Sequence, residues 1–235
     1  MEELRIGIVV ADADEFKGFE PYTRGGNSIT LLSREGVAFP VSGGTNQTQA
    51  VCVVSKIGKV NAAAATAALI GSGCNIILNF GLSGGISGVR RGELMLPDRY
   101  LEHDFDLTGI GYKPCEKPGQ EYIYKADPQL LGIFGKILPE AASGTAVCGD
   151  RFICSETDRR FLAETFGATS CDMETGAIAA VCHMAGVPFI ALRRISDDAG
   201  ADAKASYREM NTGGEALLPD SFYRCLCAVC DTYRL

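Results

Sequence analysis

The chain contains no tryptophan and only two histidines, His103 and His183, among its 235 residues. Catalysis by a histidine-centred triad or a multi-histidine metal site therefore has few possible members. His183 lies inside an apolar stretch, residues 179–184, on a predicted helix, where packing or surface exposure explains it. Carboxylates must carry most of the acid–base chemistry. Long hydrophobic runs are missing too. No stretch approaches the ~20 apolar residues of a membrane span, and Met1-Glu2-Glu3 is acidic where a secretory signal is basic, so a cytoplasmic protein with no membrane partner is expected. Positive charge is in deficit: 22 Lys and Arg against 29 Asp and Glu leave a net charge of −7. That field repels polyanions and argues against nucleic acid as a partner, although a few backbone amides can still hold a small phosphate-bearing ligand.

Ten cysteines are present, but they sit in apolar runs such as Ala50-Val51-Cys52-Val53-Val54, in a chain long enough to build its own core. They read as reduced core residues. Cys225, Cys227 and Cys230 have no evident fourth metal ligand, and Phe222, Leu226, Val229 and Tyr233 continue a helical apolar stripe around them. Helix packing is the better reading, and no metal is expected.

Apolar runs rich in β-branched residues alternate with alanine-rich stretches, an α/β signature. Strands are predicted at 4–10, 51–55, 75–80 and 188–193, and helices at 60–70 and 174–185. Gly186 and Pro188 stop the second helix. Asp172, Met173 and Glu174 fall in its first turn, where acidic side chains also serve as caps. Residues 103–125 form an aperiodic excursion suited to a lid or a subunit contact. No repeat, low-complexity tract or linker divides the chain, which favours one domain over residues 1–235.

Ligands in open α/β sheets collect at the carboxyl ends of strands. Three carboxylates stand just after predicted strands or beside them: Glu15, Glu174 and Asp197. One such residue is ordinarily a turn or a cap. Three beside a glycine-rich turn, Gly81-Leu82-Ser83-Gly84-Gly85, point to a site, because clustering carboxylates is costly without a task or partner. The glycine spacing does not match the dinucleotide fingerprint, which needs Gly-x-Gly-x-x-Gly opening a helix. The following Gly88, Arg90, Arg91, Gly92 and Glu93 read as loop.

Taken in order, Ile6-Gly7-Ile8 with Glu15, Ile57-Gly58-Lys59-Val60, Asn79-x-Gly81-x-x-Gly84-Gly85, Gly149-Asp150-x-Phe152-Ile153, Asp172-Met173-Glu174 and Arg193-x-Ile195-Ser196-Asp197 resemble the purine nucleoside phosphorylase superfamily. Within it they are most similar to the bacterial 5′-methylthioadenosine/S-adenosylhomocysteine nucleosidases. The resemblance implies a single three-layer α/β/α domain around a central mixed, largely parallel twisted sheet. It also implies a purine nucleoside as the small-molecule substrate, with no metal or organic cofactor. Glu15 would activate a water, Glu174 would hold the ribose hydroxyls, and Asp197 would protonate the purine N7. Met173 would pack on the sugar, with Ser83 and Gly84 beside it. Phe152 and the Ile153 backbone would border the base, Arg193 would organise the water and ribose, and Ser196 would steady Asp197. Leu107 and Ile110 would reach the 5′ pocket of a neighbouring subunit, implying a homodimer; within one chain, ordinary packing explains them equally.

The chemistry agrees with these assignments. Cleaving an N-ribosidic bond develops positive charge on the sugar and negative charge on the base, and the site must neutralise both. An aspartate donates a proton near neutrality only where burial or a like charge raises its ordinary pKa of ~3.9. Asp198 is a candidate for that charge, although a solvated place at a loop start explains it better. A phosphorylase of the hexameric type would carry Gly-Asp-Pro-x-Arg after its first strand, whereas this chain has Ala11-Asp12-Ala13-Asp14-Glu15, whose charge repels phosphate. Three departures bear on substrate: Leu82 replaces an expected serine, Asp12 a usual methionine, and Tyr207 a phenylalanine that would close over the ligand. A phosphorylase, a nucleosidase for another purine nucleoside such as futalosine, and a nucleoside-binding protein with impaired catalysis are the alternatives.

Overall fold

The computed structural model describes residues 3–41, 48–212 and 217–235. Its first strand, β1 (Arg5–Val10), is buried on both faces after Arg5, as a run of Ile and Val in a central parallel position requires. It pairs in parallel with β4 (Thr48–Val54) on one side and β5 (Ile76–Gly85) on the other. β5 continues in parallel to β10 (Phe189–Asp197). β2 (Asn27–Leu31) and β3 (Arg34–Val41) extend the opposite edge as an antiparallel hairpin against β4.

Beyond β10 the sheet turns back on itself. β6 (Leu94–Glu102) pairs antiparallel with β10 and with the short β7 (Tyr124–Lys125), and in parallel with β8 (Ala142–Cys148). β8 pairs in parallel with β9 (Ala168–Asp172), whose end returns antiparallel to the glycine-rich end of β5. The sheet is therefore mixed: β5, β10, β6, β8 and β9 close into a ring whose β10–β6 and β9–β5 pairings are antiparallel, and the open arm runs in parallel through β1 to β4 and ends in the antiparallel β3 and β2. This closure was not legible in the sequence.

Helices cover both sides. α2 (Lys59–Gly71), with buried Ala62, Ala65 and Leu69, packs close to α5 (Thr175–Ala185), whose small residues let it approach its neighbours: Gly176 faces Cys148 of β8 and the end of β6. α3 (Pro128–Ile137) packs with α7 (Leu217–Thr232), while α4 (Glu156–Phe166) lies against β8 and β9. Phe222 of α7 packs against Phe80 at 4.5 Å, tilted, and against Phe19 at 5.5 Å between centroids, edge to face, each ring contributing about 1.5–3 kcal/mol by burial. Phe222, Leu226, Val229 and Tyr233 are buried with Cys225 and Cys230, as the stripe predicts. Among the described residues, no helix is long and apolar enough to cross a membrane, and no group of His, Cys, Asp or Glu is arranged to hold a metal ion.

Two local predictions are corrected. Gly81 to Gly85 is not a turn but the second half of β5. Helix α5 begins at Thr175, so Asp172 ends β9 and Glu174 occupies the cap position instead of a helical turn.

Candidate active site

The site forms where β1, β4, β5, β8, β9 and β10 end. After β1, Asp12 caps α1 (Ala13–Phe19): its Oδ1 accepts the amides of Asp14 at 2.8 Å and Glu15 at 2.9 Å, which places Glu15 in the first turn. Glu15 reaches across to β5, where Oε1 accepts the Leu82 amide at 2.8 Å, while Oε2 is buried with no partner among the described residues. Glycine at 81 makes this possible, since a Cβ there would stand 2.7 Å from both Glu15 Oε1 and Arg193 Nη1.

Arg193 of β10 is buried and each of its guanidinium nitrogens donates to the protein. Nε donates to Ser83 Oγ at 2.8 Å, Nη1 to Asn79 Oδ1 at 2.9 Å and Nη2 to the Leu82 carbonyl, with Asp172 Oδ2 at 3.7 Å from Nε. Asn79 is held in turn by donating to the Val9 carbonyl at 2.8 Å. Asp172, two residues before the cap position of α5, supplies the side-chain acceptors that Glu174 does not, taking the amides of Glu174 at 2.9 Å and Thr175 at 2.8 Å and the Thr175 hydroxyl at 2.7 Å. Glu174 is thereby freed from capping. Its Oε1 accepts the Gly58 amide at 2.9 Å, and Gly58 holds φ +102°, a conformation that L side chains rarely adopt.

Asp197 owes its position to an irregularity. The register between β10 and β5 slips between Ile195 and Asp197, a bulge that brings both Ser196 and Asp197 to the cavity where strict alternation would admit only one. Asp197 Oδ2 accepts the Ser196 hydroxyl at 2.6 Å and Oδ1 the Ala199 amide at 2.8 Å.

The electrostatics follow from dryness. Burial, partly opposed by Arg193, pushes Glu15 up to about 7, and Asp12 adds to the rise. Glu174 is likewise raised to about 7 by burial and then by the Asp172 charge. Asp197 is raised chiefly by burial, against its hydrogen bonds from Ser196 and Ala199; exposed Asp198 adds a smaller push.

Eleven of the expected residues line one cavity of about 360 Å³, within the ~300–1,000 Å³ usual for small-molecule sites. Glu15, Glu174 and Asp197 supply carboxyls, while Arg193, Ser83 and Ser196 supply their supports. Gly84 and Met173 line it, as do Ile153 and the facing rings of Phe152 and Tyr207, 5.7 Å apart in a T-shaped pair. Leu107 and Ile110 do not reach it. They lie at the 3-10 turn Thr108–Ile110, Leu107 half-buried and Ile110 72% exposed, and none of the residues 103–125 lines the cavity of its own chain.

Sequence reasoning missed Ile57, Arg151 and Cys171 on the walls and the support given by Asn79 and Asp172. Only the register between β5 and β10 brings Asn79 and Ser83 under Arg193.

The sequence model of the phosphorylase superfamily matches residues 5–218. A 5′-methylthioadenosine/S-adenosylhomocysteine nucleosidase from Shewanella halifaxensis is 30% identical over 214 residues, 88% of this chain and 91% of that protein. An S-adenosylhomocysteine nucleosidase from Streptococcus pyogenes, solved with 5-methylthiotubericidin, superposes with a TM-score of 0.88 at 26% identity over 100% of this chain and 99% of that one. The fold is shared equally by futalosine hydrolase from Helicobacter pylori, TM-score 0.88 at 23% identity over 95% and 97% of the two chains. With its motifs in family order and its carboxylates gathered in one cavity, the chain belongs to the phosphorylase superfamily and, within it, to the family of the 5′-methylthioadenosine/S-adenosylhomocysteine nucleosidases.

Proposed function

We propose that the chain hydrolyses 5′-methylthioadenosine, S-adenosylhomocysteine or both, releasing adenine and a 5-modified ribose. The observation that carries this reading is Glu15: one oxygen is fixed on the Leu82 amide, the other is unpartnered, and the pKa is raised to about 7, which suits a general base near neutrality. Water, losing a proton to Glu15, attacks C1′ as the bond to N9 breaks. Asp197 delivers a proton to N7, so the base departs neutral and the positive charge on the sugar meets Glu15 and Glu174. Glu15 is anchored at Leu82 and Asp197 pairs at Gly84, an offset of about 6.6 Å along β5 that leaves room for sugar and water between the two anchors.

Water is favoured over phosphate as nucleophile. Every guanidinium nitrogen of Arg193 already donates to the protein, and Arg151 pairs with Asp158 at 2.6 Å, while Asp12, Glu15 and Glu174 oppose an incoming anion. Adenine release from 5′-methylthioadenosine is expected to be equal with and without phosphate; strict phosphate dependence would make the chain a phosphorylase. A nucleosidase for another purine nucleoside such as futalosine is the alternative, and a substrate panel followed by release of whichever base each nucleoside carries separates the two.

A homodimer accompanies this reading. The exposed Ile110, with Leu107, is proposed to complete the partner's 5′ pocket, and a monomeric mass by light scattering at assay concentration would count against it.

A further inference from the structure

The mouth of the cavity carries an acceptor that the hydrolytic scheme does not use. With Asp197, Phe152 and Ile153 given to the base and Glu174 to the sugar hydroxyls, the lining residues left include Ala11, Asp12, Ile57, Leu82, Arg151, Cys171 and Tyr207. Among these Asp12 is the one carboxylate that can meet the group on C5′. Ile57 is 50% exposed and marks the opening. Asp12 divides its oxygens between two tasks. Oδ1 is committed to the cap of α1 through amides at 2.8 and 2.9 Å. Oδ2 is held only loosely, by the Tyr207 hydroxyl at 3.5 Å and the Asn211 amide at 3.4 Å, both at the outer limit for hydrogen bonds.

Tyr207 and Asn211 stand four residues apart on α6 (Ala203–Thr212), so one helix face presents both donors to the same oxygen. Both contacts exceed the usual hydrogen-bond range, so a charged donor that approaches to about 2.7–2.9 Å displaces them from Oδ2 at little cost. Among the described residues no Lys or Arg forms an ion pair with Asp12. Its charge is felt at Glu15. The cavity end is therefore acidic, and Arg193, the buried cation nearby, is spent on other partners.

We propose that Asp12 is a specificity-determining residue: it selects purine nucleosides whose 5′ substituent carries a hydrogen-bond donor, best a cationic ammonium, over those ending in a bare alkylthio group. An ammonium at C5′ satisfies Oδ2 with a charge-assisted bond. A methylthio group covers Oδ2 without a donor and removes it from water, which costs affinity. This inference rests on the nucleosidase reading for the orientation of the ligand, and it deepens that reading by naming the substrate class.

The test uses the full chain and binding, not turnover. Tubercidin has carbon in place of N7, so its 5′-amino-5′-deoxy and 5′-methylthio derivatives bind without depending on proton donation by Asp197. Their dissociation constants are measured by calorimetry at pH 7 for the parent and for Asp12→Asn. Asparagine caps a helix as well as aspartate does, its one oxygen taking the Asp14 and Glu15 amides, so the fold is preserved while the charge and the acceptor at Oδ2 are lost. The preference for the amino over the methylthio ligand is expected to fall by about tenfold or more in Asp12→Asn. An unchanged ratio, or equal weakening of both ligands, overturns the proposal and leaves Asp12 a cap. Adenine release from the matching adenosine derivatives is followed separately: no release with the binding preference intact would sink the hydrolase reading and spare this one.

Discussion

Replacing Glu15 by Gln removes a buried charge while keeping the side chain's length and an acceptor for the Leu82 amide. Burial pushes this carboxyl from its ordinary 4.5 to about 7 even though Arg193 pulls the other way. Between those values the folded protein holds a proton that the unfolded chain has released, so stability falls as pH rises through the window. At about 1.36 kcal/mol per pH unit, the span from 4.5 to about 7 amounts to roughly 3 kcal/mol of destabilisation above pH 7 and almost none below pH 4.5. The Gln variant escapes this cost. Urea unfolding is expected to find it more stable than the parent by about 1–3 kcal/mol at pH 8 and nearly equal to it at pH 4.5, with adenine release lost at both. Arg193 keeps Ser83, Asn79 and the Leu82 carbonyl, so the variant does not strand that cation. A variant less stable than the parent at pH 8, or one whose advantage does not grow with pH, would refute the reasoning that dryness sets the state of Glu15.

Two further outcomes follow from the same geometry. Gly81→Ala places a methyl 2.7 Å from Glu15 Oε1 and Arg193 Nη1; Arg193 has no room to yield, so kcat/KM for adenine release should drop by about a hundredfold, with a stability loss of about 1–3 kcal/mol by thermal melting, and wild-type activity would contradict the packing argument. The pH profile of kcat/KM should rise through about 7 as Glu15 ionises to act as base; a profile flat through pH 7 speaks against Glu15 as that base.

Much of this was legible in the sequence, and the rest was hidden for identifiable reasons. Runs such as 4–10 and 188–193 announce central strands because both faces are buried, and the structure keeps them as Arg5–Val10 and Phe189–Asp197. Glu15, Glu174 and Asp197 stood out because carboxylates beside strand ends need an explanation. Gly81 to Gly85 read as a turn because glycine is a poor strand former. The reason for glycine lies in distant residues: Arg193 and Glu15 fill the space at 81, and Asp197 and Cys171 fill it at 84. Capping is an alternative reading for both Asp172 and Glu174 in the sequence; Asp172 takes the helix amides and leaves Glu174 to the cavity. The bulge at Ser196 and the closure of β5, β10, β6, β8 and β9 depend on register between strands far apart in sequence, which residue pattern does not encode.

The central claim is that Asp197 gives its proton to the departing base. Asp197→Asn keeps an oxygen for the Ala199 amide and a group for Ser196 while removing the acid. Single-turnover adenine release from 5′-methylthioadenosine in phosphate-free buffer is expected to slow by about 10²-fold or more in this variant, with nucleoside binding retained. Undiminished release would contradict the account.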